Sequence, residues 1–333
     1  MLFLKGKTHD LGDKFFITRY LPDIQRRSVG PFLFFDFFGP VEFPPGKGVD
    51  VRPHPHIGLA AVTYLFDGAQ MHRDTLGSAQ EIKPGDVNWM TAGRGIAHSE
   101  RTGQDMRAQG HRLHGIQTWV GLPASDEEAD PHFQHFGAAQ LPVAEHGDVA
   151  LRLMVGEAFG LASPVKVFSP TFYADARFAV GGVFTYAAEH EERGLLIIDG
   201  DIQIGGDILP PGTMIVLDKG EEITMFAQGR ARAVLFGGAP LDGPRHLWWN
   251  FVSSSKDRIE QAKQDWKAGR FGLIPATTRN SFHSRKRRGR RIANEIDHHF
   301  CHRRVRAGGR HPIRAAGFGA GGLAAPKLHD QRP

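Results

Sequence analysis

The sequence predicts an all-β chain: two antiparallel barrels in tandem, followed by a short α-helix and a basic tail. Three observations carry this expectation. Short apolar runs bounded by Gly, Pro and Asp recur through residues 15–240, the pattern of many brief strands. Part of that pattern occurs twice. A single stretch near residue 260 has helical spacing.

In chain order, the runs Ile57–Phe66, Val87–Met90 and Ile116–Val120 are expected strands of the first barrel, and Leu195–Ile198, Met214–Leu217 and Ala233–Phe236 of the second. The repeat links the two halves. Tyr64-Leu-Phe-Asp-Gly68 is echoed by Leu196-Ile-Ile-Asp-Gly200, and Ile82-Lys-Pro-Gly-Asp-Val-Asn-Trp-Met90 by Leu209-Pro-Pro-Gly-Thr-Met-Ile-Val-Leu217. Each copy is a strand into an Asp-Gly turn, then a Pro-Gly turn into another strand. Two copies of one barrel, each closing its own edges, account for this; chance matching at turn residues is the alternative. Between the copies, Pro123–Pro142 reads as a linker or bridging segment. After Ser253-Ser254-Ser255, which can cap free N–H groups, Ile259, Ala262 and Trp266 lie at helical spacing, and the pattern fades at Gly269. The expected division is 1–125 for the first barrel, 126–252 for the linker and second barrel, 253–275 for the helix and 276–333 for the tail.

Composition bounds the function. Apolar residues make up 41% of the 333, with 24 Phe, enough for sizeable cores. From Arg279 to Pro333 there are 14 Lys and Arg against 3 Asp and Glu; of the 41 basic and 36 acidic residues in the chain this leaves 27 and 33 for residues 1–278. The basicity therefore belongs to the tail, while the mildly acidic body gives no electrostatic reason to expect nucleic acid. The tail has too little apolar surface to offset its ordering entropy, so disorder is expected there. Its Arg run and its His298–His302 stretch are weak signals for nucleic acid and metal, respectively. The single cysteine, Cys301, excludes an intrachain disulfide framework and fits a reducing compartment. No apolar run is long enough for a bilayer and the N-terminus lacks a secretory pattern, so a cytoplasmic chain is expected. The absence of heptads suggests a monomer.

The residues that carry chemistry stand two apart. In a strand, such neighbours face the same side, so His54 and His56 of Pro53-His-Pro-His56 aim at one spot, with Pro55 implying an edge or irregular strand. His98 and Glu100 repeat the spacing after Gly93-Arg-Gly-Ile-Ala. Two such pincers can enclose a metal with three imidazoles and a carboxylate. That donor set suits iron, manganese, nickel, copper, cobalt or zinc and discriminates among them poorly. An isolated His-x-His is weak, since exposed histidines often fall two apart by chance.

The surrounding glycines strengthen it. Gly48 and Gly68 flank the first pair, and Pro84-Gly85 and Gly95 precede the second. This resembles the two-motif signature of the cupin superfamily, with one departure: Ala60 and Ala61 stand where a glutamate usually follows the second histidine. The stretches Pro31–Pro40, Arg52–Gly58, Trp89–Glu100 and Pro244–Ser255 resemble specifically the pirin family of bicupins, over the chain to about Phe271. The resemblance implies two cupin (jelly-roll) barrels. It also implies one iron, as Fe(II), in the first barrel on His54, His56, His98 and Glu100. The implied activity is a quercetin 2,3-dioxygenase-like ring cleavage of a flavonol with O2, with Glu100 as ligand and candidate base. Pirins also include regulatory members, so the competing expectation is an iron-containing redox-sensing protein acting through protein partners.

Carrying the ligand offsets onto the second copy gives Tyr186, Ala188, Met225 and Ala227, so that barrel is expected to be metal-free. His72, His111 and His114 could line the pocket, but the favoured reading of each is an ordinary surface or core histidine. Gln117 and Trp119 share a strand face and fit either a pocket or a core. The Phe32–Phe38 cluster reads as core, and Trp248 and Trp249 as docking the helix.

Overall fold

Strand after strand pairs antiparallel in the computed structural model, which describes residues 1–11 and 15–275. The expectations for the tail, including Cys301 and the Arg run, fall outside the described residues. In the first barrel a seven-stranded sheet runs in the order His132–Phe136, Val87–Thr91, Leu59–Asp67, His111–Gly121, Phe32–Phe43, Phe16–Leu21, Lys7–Asp10. A four-stranded sheet faces it, in the order Asp50–His56, Ile96–Arg101, Gln70–Asp74, Ala79–Ile82. The second barrel repeats the plan with a large sheet from Leu2–Leu4 to Val143–His146 and a small one of Val183–Tyr186, Ile223–Phe226, Ile202–Ile204 and Asp207–Leu209.

The repeat seen in the sequence is a repeat of hydrogen bonds. In the first copy the Asp67 carboxylate accepts from the Gly68 N–H, and Gly85 N–H donates to Leu65 O. In the second, Asp199 accepts from Gly200, and Gly212 N–H donates to Ile197 O. Both turn glycines have positive φ, +82° and +65°, and a Cβ at either would strike a backbone carbonyl, that of Arg112 or of Arg230. Only glycine fits both constraints.

The large sheets pack against each other through one apolar cluster. Phe32, Phe35, Tyr64, Trp89 and Ile116 of the first barrel meet Tyr173, Leu196, Met214, Val234 and Phe236 of the second, all buried. The Phe32–Phe38 run thus divides: Phe35 and Phe37 face the partner barrel and alternate with Phe34 and Phe38, which pack inside their own, while a register shift between Phe32 and Phe34, opposite Trp119 and Val120, turns Phe32 to the partner barrel as well. Two strands cross between the halves of the sequence. Leu2–Leu4 edges the second barrel's sheet beside Met214–Leu217, and His132–Phe136, within the expected linker, edges the first barrel's sheet beside Val87–Thr91.

The helix Lys256–Lys267 forms where its periodicity placed it. Ser255 Oγ accepts from Arg258 N–H, and Ile259 and Ala262 are buried. Trp249 lies 6.3 Å from Trp266, and Lys263 sits over Trp248, so both tryptophans dock it. A short helix, Gln104–Gln109, was not legible in the sequence because it buries no residue and so has no apolar stripe.

Candidate metal centre

Three neighbouring strands of the first barrel's small sheet build the site. Asp50–His56 is its edge strand, where the missing N–H of Pro55 is harmless. It pairs with Ile96–Arg101, setting His54 opposite His98, and that strand pairs with Gln70–Asp74, setting Glu100 opposite His72 and His98 opposite Asp74. Residues opposite one another share a face, so three pairs of residues two apart converge on the barrel interior: His54 and His56, His98 and Glu100, His72 and Asp74.

The imidazole orientations are fixed from behind. His54 Nδ1 lies 2.8 Å from Arg52 O, and His56 Nδ1 lies 3.2 Å from Asn250 O. A carbonyl can only accept, so both Nδ1 atoms carry the proton and both Nε2 atoms present a lone pair. His56 Nε2 is 3.1 Å from His98 Nε2, and the ligand-capable atoms of His54, His56 and His98 all lie within 4.8 Å of one another. Lone pairs brought this close are best satisfied by a shared cation, and neutral imidazoles suit a transition metal. Burial holds all three histidines below their ordinary pKa, His56 and His98 well below it, with neighbouring imidazoles adding to the effect at each. The ligand form is therefore the resting form at neutral pH.

Glu100 is buried beside this triad. Its Oε1 accepts from Thr63 Oγ1 at 3.0 Å, and Gln117 Nε2 lies 3.2 and 3.0 Å from its two oxygens. The carboxylate is thereby aimed yet keeps lone pairs free for a proton or an ion. Trp119 closes the far side, its ring 5.3 Å from His56 and stacked at 4.0 Å on Phe34. Gln117 and Trp119, which the sequence allowed as pocket or core, both border the site.

The other sequence candidates separate. His111 stacks on Phe43, and His114 sits between Phe37 and Phe66, both away from the triad. His72 does not follow the reading as an ordinary core histidine: it is buried with its Nδ1 3.3 Å from His98 Nδ1. Its His-x-Asp spacing matched the other two pairs, but nothing in the sequence gave its register against Ile96–Arg101.

In the second barrel, Tyr186 pairs with Ile223 and Phe184 with Met225, just as His56 pairs with Ile96 and His54 with His98. The counterparts of His54 and His56 are thus Phe184 and Tyr186, two residues from the offset expectation. Phe184, Tyr186, Met225 and Ala227 are buried in an apolar cluster, and the Tyr186 hydroxyl donates to Gly194 O.

Tandem antiparallel barrels with a histidine cluster inside the first define a bicupin. The chain belongs to the pirin family: the Pirin family model matches residues 14–120 and the Pirin C-terminal cupin domain matches residues 173–272. It is 50% identical over 275 residues to a pirin-like protein of Caulobacter vibrioides, covering 82% of this chain and 94% of that one. Human pirin is 32% identical over 275 residues, covering 76% of this chain and 89% of its own. A crystal structure of a quercetin 2,3-dioxygenase from Acinetobacter baumannii is similar at 37% identity and a TM-score of 0.76, covering 82% of this chain and 92% of that chain.

Proposed function

We propose that the chain is a metal-dependent dioxygenase whose ion is held by His54, His56, His98 and Glu100, with iron(II) as the favoured metal, and that it cleaves the central ring of quercetin-like flavonols. The observation that carries this reading is the convergence of three Nε2 lone pairs, two of them with Nδ1 tied to a carbonyl acceptor. The kinship with a protein named quercetin 2,3-dioxygenase supplies the substrate class.

When bound, the ion supplies Lewis acidity, lowering the pKa of a coordinated phenolic hydroxyl as it does for water. The chain's own residues do the rest. Glu100 takes the proton of the flavonol 3-hydroxyl on a carboxylate oxygen. Thr63 and Gln117 keep that carboxylate aimed by donating to it. Trp119 and Phe34, buried and stacked, keep water from the His56 side.

Oxygen uptake with quercetin tests this, using protein loaded anaerobically with iron(II) beside a His56→Ala variant. Uptake with carbon monoxide release, lost in the variant, is expected. No uptake by protein shown to carry iron would remove quercetin as the substrate and favour the redox-sensing, partner-binding alternative.

A further inference from the structure

The three histidines of the triad are not supported alike. His54 and His56 donate from Nδ1 to neutral backbone carbonyls, those of Arg52 and Asn250. His98 turns its Nε2 towards His56, so with a metal held there its proton sits on Nδ1, and the acceptor is His72 Nδ1 at 3.3 Å. His72 can accept at Nδ1 only with its own proton on Nε2, and that atom lies 2.9 Å from Asp74 Oδ2. The other Asp74 oxygen accepts from the Leu76 and Ser78 N–H groups at 2.9 and 3.0 Å, which fixes the carboxylate. Phe133, from the strand that crosses between the halves, stacks on the His72 ring at 4.3 Å and 10° and fixes its plane. Both His72 and Asp74 are buried.

We propose that Asp74 and His72 are positioning residues of the metal centre: a carboxylate–imidazole relay that orders the tautomer of His98 and makes it the strongest donor of the triad. The inference rests on the metal-site reading above. Outer partners of this kind hold a ligand ring in place and raise its basicity, and their loss costs about 10–100-fold in metal affinity. A negative charge delivered through two imidazoles also favours the more highly charged metal state, so the relay lowers the iron(III)/iron(II) potential. Asp74→Asn inverts it: an amide donor towards His72 Nε2 moves the proton to Nδ1, where it opposes that of His98.

The test uses the full chain loaded with iron. Iron(II) affinity is measured by chelator competition and the midpoint potential by spectroelectrochemistry, for wild type, Asp74→Asn, His72→Phe and His72→Gln. The expected result is about 10–100-fold weaker binding and a positive shift of potential for Asp74→Asn and His72→Phe. His72→Gln, which retains an acceptor oxygen, falls between His72→Phe and wild type. Should Asp74→Asn fail to fold through loss of its turn contacts, the two His72 variants decide alone. If His72→Phe, which keeps a ring against Phe133, matches wild type while His72→Gln does not, the role is packing and the relay is overturned. Variants indistinguishable from an iron-binding wild type overturn the relay alone. A wild type that takes up no transition metal overturns the metal-site reading and the relay with it.

Discussion

At the scale of single residues, the two-apart spacing of His54 and His56 and of His98 and Glu100 was informative because a strand's side chains alternate with period two. What that spacing does not disclose is the distinction among the four. His54, His56 and His98 form a compact nitrogen cluster, whereas Glu100 is restrained by Thr63 and Gln117 beside it. A carboxylate so held can work as a base as well as a ligand. Glu100→Gln is therefore expected to lower turnover about 100- to 10,000-fold, while metal content falls far less. Steady-state kinetics beside metal analysis of the same preparation check this; equal loss of both would make Glu100 a ligand alone.

At the scale of elements, the turn that leads into the His98 strand is a packing problem solved by glycine. Gly93 has φ +48°, its carbonyl accepts from Gly58 N–H, and a Cβ there would collide with the carbonyl oxygen of Ala129. Gly93→Ala is expected to cost about 1–3 kcal/mol and to weaken metal binding by displacing the strand; chemical denaturation and metal competition measure the two effects. The C-terminal helix offers a milder case. Removing the hydroxyl that caps Arg258 N–H, by Ser255→Ala, should cost about 1 kcal/mol and leave metal affinity unchanged, as followed by thermal melting and the same competition assay. The short His132–Phe136 strand shows the limit of local reading. Its acidic, proline-bounded neighbourhood reads as linker, yet it pairs with Val87–Thr91 because that sheet edge is open to it.

At the scale of the whole molecule, the barrels are joined by a polar group inside their apolar contact. Asp175 of the second barrel is fully buried, accepts from Arg232 at 2.7 and 2.6 Å, and accepts from Tyr64 of the first at 2.8 Å. Burial alone would raise its carboxyl, but Arg232, then Arg177 and Tyr64, hold it below the ordinary range. Asp175→Ala leaves the Arg232 charge without its partner and is expected to cost about 3–5 kcal/mol. Tyr64→Phe, which removes one hydrogen bond to a charge, should cost about 1.5–3 kcal/mol; urea unfolding of both variants ranks them.

Acid sensitivity is a second property of the whole chain. His56 and His98 lie well below 6.5, His54 lies below it, and His114 is pushed down to about 4, in each case chiefly by burial. Between the native and unfolded values the unfolded state binds more protons, so stability rises with pH through that window. The metal-free chain should hold its full histidine contribution above about pH 6.5 and lose it progressively as pH falls towards 4. Melting temperatures across that range check the slope, which His114→Gln should make shallower.

By itself the sequence determined the two-barrel plan, the turns that repeat, the capped helix and the two-apart spacing that brings His54, His56 and His98 together, because each is written in local periodicity or in residues that a tight turn demands. Only the tertiary structure decided which strands complete which sheet, that Phe184 and Tyr186 replace the histidines of the first barrel, and that His72 and Asp74 stand behind His98. Those outcomes depend on register between strands far apart in the chain. A shift of two residues preserves every side chain's face, so alternation in the sequence cannot distinguish one register from the next.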